Sequence, residues 1–181
     1  DRAAGRAAQV LDGGGVCVIP TDTLYGVVAL DRNRKAVERV RRVKRRPPGK
    51  PFIRLIGGME LLQRYTDQRL PSLLRRHWPG PLTVVFRARD GGSIALRWPQ
   101  DDFLQALFPL VGFEPLVAPS ANLSGGENIL DCGSLVDTFS GMVELILCRE
   151  GGPARSEPST IVDITGDRWR VLRDGAAKLD L

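Results

Sequence analysis

The stretch V-I-P-T-D-T-L-Y-G-V, Val18–Val27, decides the architecture. It begins as the tail of an apolar strand, Val16–Ile19, is stopped by Pro20, and then sets four hydroxyl or carboxyl groups, on Thr21, Asp22, Thr23 and Tyr25, into the six residues before Val27. A polar cluster directly after a buried strand is where an open α/β sheet places a ligand crevice. The same punctuation recurs twice: Ser120-Ala121-Asn122-Leu123-Ser124-Gly125 follows the short strand of Pro115–Ala118, and Ser159-Thr160 opens the strand that runs on through Ile161-Val162-Asp163. Taken singly, each cluster reads first as turn or capping chemistry.

Outward from that stretch, helices and strands interleave. Arg2–Leu11 carries Ala4, Ala7, Ala8 and Leu11 on one helical side and stops at Gly13-Gly14-Gly15. Asn33 can cap a helix to about Arg46, with Ala36, Val37, Val40 and Val43 at helical spacing, ended by Pro47-Pro48-Gly49. Strands are expected at Phe52–Ile56, Leu82–Arg87 and Ile94–Trp98, two helical stretches within Met59–His77, and a helix from Asp101 to Leu107. Val143–Cys148 reads as a short buried strand, preceded by a weak helix at Ser134–Phe139. Thr160–Ile164 and Trp169–Leu172 read as a strand pair joined by T-G-D. The expectation is one α/β domain over residues 1–181 with a mixed sheet, without repeats or a dividing linker.

Composition removes several classes. With 43% hydrophobic and 26% charged residues the chain is neither disordered nor fibrous. No apolar run approaches the roughly 20 residues of a membrane span, and D-R-A-A-G-R-A-A-Q-V lacks a signal-peptide core, so a cytoplasmic protein is expected. The start at Asp1 rather than Met suggests a trimmed N-terminus. Cys17, Cys132 and Cys148 lie far apart with no C-x-x-C, and two of them fall in the apolar runs V-C-V-I and L-I-L-C, so reduced, buried thiols are expected. His77, the single histidine, stands before Trp78-Pro79-Gly80 with no G-x-S-x-G anywhere, which leaves no Ser-His-Asp or Cys-His machinery. Metal-ligand spacings and Walker or Rossmann phosphate loops are missing as well.

What remains is a basic, hydroxyl-rich chemistry. The formal net charge is +5, and between Arg32 and Arg54 eleven Lys or Arg stand against one acid, Glu38. That segment suits an anionic partner, and reads equally as a solvated helix face. Arg97 lies inside the apolar run Ile94–Trp98, where burial is costly unless an anion accompanies it. Short hydroxyls and amides give directional hydrogen bonds, while Lys and Arg neutralise phosphate, so the clusters together describe a small-molecule anion site.

Seven motifs in order carry a resemblance: P-T-D-T-L-Y-G at Pro20–Gly26, K-R-R at Lys44–Arg46 with K-P-F behind it, W-P-G-P-L-T at Trp78–Thr83, I-A-L-R-W-P at Ile94–Pro99, P-S-A-N-L-S-G at Pro119–Gly125, P-S-T-I-V-D at Pro158–Asp163 and V-L-R-D-G at Val171–Gly175. From about Val16 to Gly175 the chain resembles the YrdC-like family of L-threonylcarbamoyladenylate synthases, in its single-domain form. The resemblance implies a YrdC-like twisted mixed sheet with flanking helices and a positively charged cavity. It implies a nucleotidyltransferase that converts L-threonine, bicarbonate or CO2, and ATP to threonylcarbamoyl-AMP and pyrophosphate, with Mg²⁺ carried mainly by the ATP phosphates. The product would be handed to a tRNA threonylcarbamoyl transferase complex for modification of adenosine 37.

Carried over by motif, Lys44 and Arg46 are the catalytic pair at triphosphate and threonine carboxylate. Thr23, Tyr25, Arg46 and Thr160 are implied at L-threonine, and Lys44, Lys50, Arg97, Ser120, Asn122, Ser159 and Arg173 at the nucleotide. Asp174 departs from the family, standing where Pro is usual. A threonine carbamate is already nucleophilic, so aligned cations suffice without a histidine base. The stretches 126–134 and 151–157 lie where lids over a labile anhydride would. Two rivals remain open at this point. One is a tRNA or double-stranded RNA-binding module without adenylation activity, disfavoured as a single-strand platform by 6% aromatics that avoid the basic run. The other is the YrdC-like domain of carbamoyltransferases that use carbamoyl phosphate, which occurs within much longer chains.

Overall fold

In the computed structural model, which describes residues 2–180, the strand expected at Val16 becomes β1 (Cys17–Ile19). Beyond the polar turn the chain comes straight back as β2 (Gly26–Leu30), paired antiparallel to β1. The sequence pattern did not mark β2, because V-V-A-L is short, continuous and follows Gly26 without a break. A continuous apolar run is what a strand covered on both faces requires, and every residue of β2 is buried. The remaining strands are β3 (Ile53–Leu55), β4 (Leu82–Arg87), β5 (Ser93–Arg97), β6 (Leu116–Val117), β7 (Leu145–Ile146), β8 (Thr160–Asp163) and β9 (Arg170–Arg173). They form one twisted, mixed nine-stranded sheet in the order β7-β1-β2-β6-β3-β5-β4-β8-β9. Parallel pairs occur at β1·β7, β3·β5 and β4·β8.

The helices are α1 (Arg2–Asp12), α2 (Arg34–Val43), α3 (Ser72–Arg75), α4 (Asp102–Leu110) and α5 (Cys132–Phe139), with a 3-10 helix at Met59–Arg64. Three begin on side-chain caps worth about 1 kcal/mol each: Asn33 accepts from the Ala36 N–H, Asp101 from Leu104 and Asp131 from Ser134. Around β1, β2 and β6, side chains alternate between two cores. Cys17, Ile19, Val28, Leu30 and Leu116 pack with α1 and α4. Val18, Val27, Ala29 and Val117 face α2 and α5 through Ala36, Val40, Leu135 and Phe139. At the other end, Leu82, Val84, Phe86, Leu96 and Val162 face the 3-10 helix, α3 and Trp78. Thr83, Val85, Ala95, Arg97 and Ile161 alternate with them and point to the other face, on which no helix packs among the described residues.

Two expectations are corrected. Val143–Cys148 is not a buried strand: β7 has two residues, both half-buried, at the sheet edge. The cysteines are not all reduced and buried, because Cys132 and Cys148 form a disulfide with both residues exposed, and only Cys17 is free and buried. Their separation of 16 residues is one helix and its return to the sheet, which brings the start of α5 beside the end of β7 at a Cα–Cα distance of 5.7 Å. Among the described residues no helix is long and apolar enough to cross a membrane, and the domain limits at residues 1 and 181 lie outside them.

Candidate active site

The uncovered face of β3, β5, β4, β8 and β9 is the floor of a two-part cavity. Its inner part, about 90 Å³, is lined by Thr21, Thr23, Tyr25, Arg97, Ser159 and Pro158 among others. The outer part, about 420 Å³, is lined by Lys44, Lys50, Asn122 and Ser124 over an apolar strip of Val85, Ala95, Ile161 and Leu172. Arg46, Ile53, Ser120 and Arg173 line both. The outer volume falls in the ordinary small-ligand range, and the inner alone is far below it.

The β1–β2 turn builds the inner end. Thr21 Oγ1 accepts from the Thr23 N–H at 3.1 Å and donates to the Leu24 carbonyl at 2.7 Å, which folds the turn on itself. This leaves the Thr23 hydroxyl toward Arg97, whose Nη1 donates to it at 2.8 Å. Arg97 is fully buried, and its anion is the chain's own Asp22, at 3.4 Å. Burial lowers the Arg97 pKa while Asp22 and then Asp101 oppose the shift. Arg97 Nε and Asp22 Oδ1 have no hydrogen-bond partner in the protein, an expensive arrangement unless a ligand completes it. Tyr25 is 1% exposed; its hydroxyl is engaged by the backbone of Arg149, accepting from N–H at 3.1 Å and donating to the carbonyl at 3.4 Å. Its ring is therefore the part left to the cavity.

The basic wall comes from the end of α2. Lys44 is the C-cap, and Arg45 follows with φ of 50°, turning the chain left-handed so that Arg46 N–H closes onto the Arg41 carbonyl. A non-glycine residue in that region costs about 1–2 kcal/mol. The turn sends both Lys44 and Arg46 inward. Lys44, 2% exposed, donates to the Ser120 and Asn122 carbonyls and to Asn122 Oδ1. Its three donors are thus taken by neutral oxygens, and its pKa is pushed down to about 8, first by burial, then by Arg46 and Lys50. The same loop is tied further by Ser120 Oγ donating to Asn122 Oδ1 at 2.6 Å and by the Ser124 N–H on the Lys44 carbonyl at 2.9 Å. Arg46 lies over the Phe52 ring at 5.1 Å and donates to the Lys50 and Pro51 carbonyls; burial and then Arg41 lower its pKa. Arg173 donates twice to the Ser159 carbonyl and once to its hydroxyl, and burial and then Arg97 lower its pKa.

Of the residues singled out by the sequence, the structure brings ten to this cavity: Thr23, Tyr25, Lys44, Arg46, Lys50, Arg97, Ser120, Asn122, Ser159 and Arg173. Thr160 is placed elsewhere. It pairs with Leu82 on the helix-covered face of β8, and its hydroxyl donates to the Ala177 carbonyl at 2.7 Å. Strand alternation makes Ser159 and Ile161 the cavity-facing neighbours, with Thr160 between them pointing away. His77 stands apart from the cavity, with Arg76 Nε donating to its Nε2 at 3.4 Å. Sequence reasoning missed Asp22 as the partner of Arg97. It also missed Arg149, whose guanidinium bridges the Thr21 carbonyl and Asp101; C-R-E-G-G carries no pattern that would have announced it.

The electrostatics separate two kinds of cation. On the basic run outside the cavity, Arg32, Arg39, Arg41 and Arg54 pair with Asp12, Glu144, Glu38 and Asp31. Lys44, Arg46, Lys50 and Arg173 have no carboxylate in salt-bridge range among the described residues, although all four line one cavity.

The model of the Sua5, YciO and YrdC family, described as "Telomere recombination", matches residues 9–175. A threonylcarbamoyl-AMP synthase of Pyrococcus abyssi is 32% identical over 187 residues, covering 96% of this chain and 54% of its own. The crystal structure of P. abyssi Sua5 complexed with L-threonine superposes with a TM-score of 0.83 at 29% identity, over 95% of this chain and 54% of that one. Escherichia coli YciO superposes with a TM-score of 0.87 at 26% identity, over 99% of this chain and 92% of that one. The chain thus spans about half the length of the curated synthases it matches and nearly the whole of YciO.

Proposed function

The chain belongs to the Sua5–YciO–YrdC family, and from that premise and the unpaired cations of its cavity we propose that it is an L-threonylcarbamoyladenylate synthase. The substrates are L-threonine, bicarbonate or CO2, and ATP; the products are threonylcarbamoyl-AMP and pyrophosphate. The observation that carries this is the convergence of Lys44, Arg46, Lys50 and Arg173 on one cavity, three of them with lowered pKa values and none with a carboxylate partner among the described residues. Burying Lys44 against neutral oxygens, with Arg46 and Arg173 half-buried beside it, is unfavourable until an anion arrives, and a triphosphate supplies the missing charge.

L-threonine occupies the inner end, against Thr23, the Tyr25 ring and the spare Arg97 donor. ATP fills the outer end, its base on the strip of Val85, Ala95, Ile161 and Leu172 and its phosphates toward Lys44, Lys50, Ser120, Asn122 and Arg173. Arg46, common to both parts, sits where the two substrates meet. The free threonine amine adds to CO2 and gives up a proton to solvent, forming a carbamate; a carbamate oxygen attacks the α-phosphorus, the bond to the β-phosphate oxygen breaks, and pyrophosphate leaves. No side chain has to remove a proton in that displacement, so the protein's task is alignment and charge neutralisation. Among the described residues no group of three or more His, Cys, Asp or Glu is placed to hold a metal; in this reading Mg²⁺ is brought by the ATP phosphates. The setting proposed is the cytoplasm, with the product passed to a tRNA threonylcarbamoyl transferase complex.

Pyrophosphate release from ATP, with and without L-threonine and bicarbonate, tests the proposal. Release that needs both co-substrates and collapses in Arg46→Ala supports it; release indifferent to threonine, or none from folded protein with Mg²⁺, overturns it. In that event tRNA or duplex RNA binding comes forward, although pairing of Arg32, Arg39, Arg41 and Arg54 with carboxylates leaves the outer basic run less available to a phosphate backbone. Carbamoyl phosphate in place of threonine and bicarbonate separates the carbamoyltransferase chemistry.

A further inference from the structure

Behind the β1–β2 turn that lines the inner cavity runs a strap, residues 148–158, with no helix or strand in it. It leaves the sheet edge after the Leu147 N–H bonds the Val18 carbonyl, and it ends at Pro158, a lining residue. Between those points it lies on the β1–β2 turn. The Arg149 backbone holds the Tyr25 hydroxyl, the Arg149 guanidinium holds the Thr21 carbonyl and Asp101, and the Arg155 N–H donates to the Thr23 carbonyl at 3.1 Å. Thr21, Thr23 and Tyr25 all line the inner cavity. Gly151 and Gly152, with φ of 79° and 93°, make the bend between the two attachments, and residues 154–157 are exposed.

The one covalent restraint on this strap is at its root. Cys148, adjacent to Arg149, is bonded to Cys132 at the start of α5. Helix α5 is itself fixed, since Leu135 and Phe139 are fully buried in the same core as Tyr25. Both cysteines of the bond are exposed, unlike Cys17, whose thiol is buried and held up at about 12 by that burial. Exposed disulfides are open to thiolate attack and are the labile, regulatory kind, whereas a buried neutral thiol is inert.

We propose that the Cys132–Cys148 disulfide is a thiol-exchange site that latches the 148–158 strap onto the turn lining the inner cavity, so that reduction by a dithiol loosens the small-substrate end of the site. In the exchange a thiolate of the dithiol attacks one cysteine sulfur, forming a mixed disulfide and releasing the other cysteine. The second thiol of the reductant then displaces the remaining cysteine. Two electrons and two protons pass to the protein, giving two cysteine thiols, and the dithiol becomes a cyclic disulfide. Reduction leaves the core of α5 intact and frees the strap to leave Tyr25, Thr21 and Thr23. The identity of the small substrate as L-threonine rests on the synthase reading; the latch does not.

Three measurements on one preparation decide it, with dithiothreitol as the reductant. Alkylation of the native protein followed by mass spectrometry is expected to leave Cys132 and Cys148 unmodified before reduction and to modify both afterwards, with Cys17 untouched throughout; two free thiols in air-oxidised protein overturn the proposal. Trypsin is expected to cut after Arg149 and Arg155 at least several-fold faster in reduced than in oxidised protein, and equally fast with or without reductant in a Cys132→Ser/Cys148→Ser variant. Equal rates for oxidised and reduced wild type overturn it. In the pyrophosphate assay, reduction is expected to raise the KM for L-threonine several-fold while the KM for ATP holds, and an unchanged threonine KM overturns the link to the cavity. Protein that releases no pyrophosphate in either state sinks the synthase reading instead, and alkylation and trypsin still decide the latch.

Discussion

The two ends of the sheet solve the same packing problem in opposite ways. Around β1, β2 and β6 both faces are covered, by α1 and α4 on one side and α2 and α5 on the other, and every residue of the three strands is buried. Around β4, β5 and β8 the 3-10 helix and α3 cover one face only, and residues of the other, such as Val85, Ala95 and Ile161, stay half-exposed over the cavity. The first end supplies stability and the second, built on the same strand geometry, supplies a site. The unpaired cations after α2 and on β9 can face this open end because its missing helix layer leaves room for an anion.

The division predicts that equal truncations have unequal costs. Leu30→Ala, in the doubly covered end, is expected to lower stability by about 2–5 kcal/mol in urea unfolding, while Ile161→Ala on the open face costs less than half as much and weakens ATP binding instead. Equal losses of stability would break the comparison. Next in size, Arg46→Ala removes charge-assisted hydrogen bonds worth about 1.5–3 kcal/mol to the substrates, so pyrophosphate release should fall roughly 10- to 100-fold with the urea midpoint nearly unchanged.

Much of this division was legible in the residues. The helical spacing of Ala36, Val37, Val40 and Val43 announces which face of α2 is buried, because burial acts on each side chain locally. The cavity's membership was legible in part from hydroxyls at strand ends, the helix end at Lys44–Arg46 and Arg97, and in part only from the family motifs, which supplied Lys50 and Arg173; ten of the eleven residues singled out line it. What stayed hidden depends on partners distant in sequence. Asp22 reaches Arg97 across 75 residues, Arg149 reaches Tyr25 across 124, and the Cys132–Cys148 bond needs α5 to return to the sheet. Val27–Leu30 was missed for the opposite reason, since a run buried on both faces has no period to detect.

A pH series sharpens the electrostatic half of the comparison. With burial holding its folded pKa down at about 8 against an ordinary 10.5, Lys44 binds fewer protons folded than unfolded between those values. Its contribution therefore makes stability rise with pH across that window, by at most about 1.4 kcal/mol per unit. The difference between wild type and Lys44→Met should show this slope and flatten below pH 8. A bound triphosphate favours the charged form, so ATP binding near pH 8 should take up a fraction of a proton, detected calorimetrically in buffers of different ionisation enthalpy and abolished in Lys44→Arg. Proton release on binding would mean that the phosphates do not approach Lys44.

The smallest effect asked for is also the finest division of the two faces, since it compares adjacent residues. Ser159 and Thr160 carry the same functional group, yet strand alternation sends the Ser159 hydroxyl to Thr83 and Arg173 at the cavity and the Thr160 hydroxyl to the Ala177 carbonyl beneath it. Thr160→Val should cost about 1 kcal/mol of stability, the worth of one buried hydrogen bond, and leave the KM values for threonine and ATP in place. Ser159→Ala should cost a similar amount of stability but also release the Arg173 guanidinium from one of its partners, changing the KM for ATP. If Thr160→Val instead raised the KM for threonine, β8 would have to present its other face to the substrate when the site fills, and the one-sided cover of this end of the sheet would be a property of the empty cavity alone.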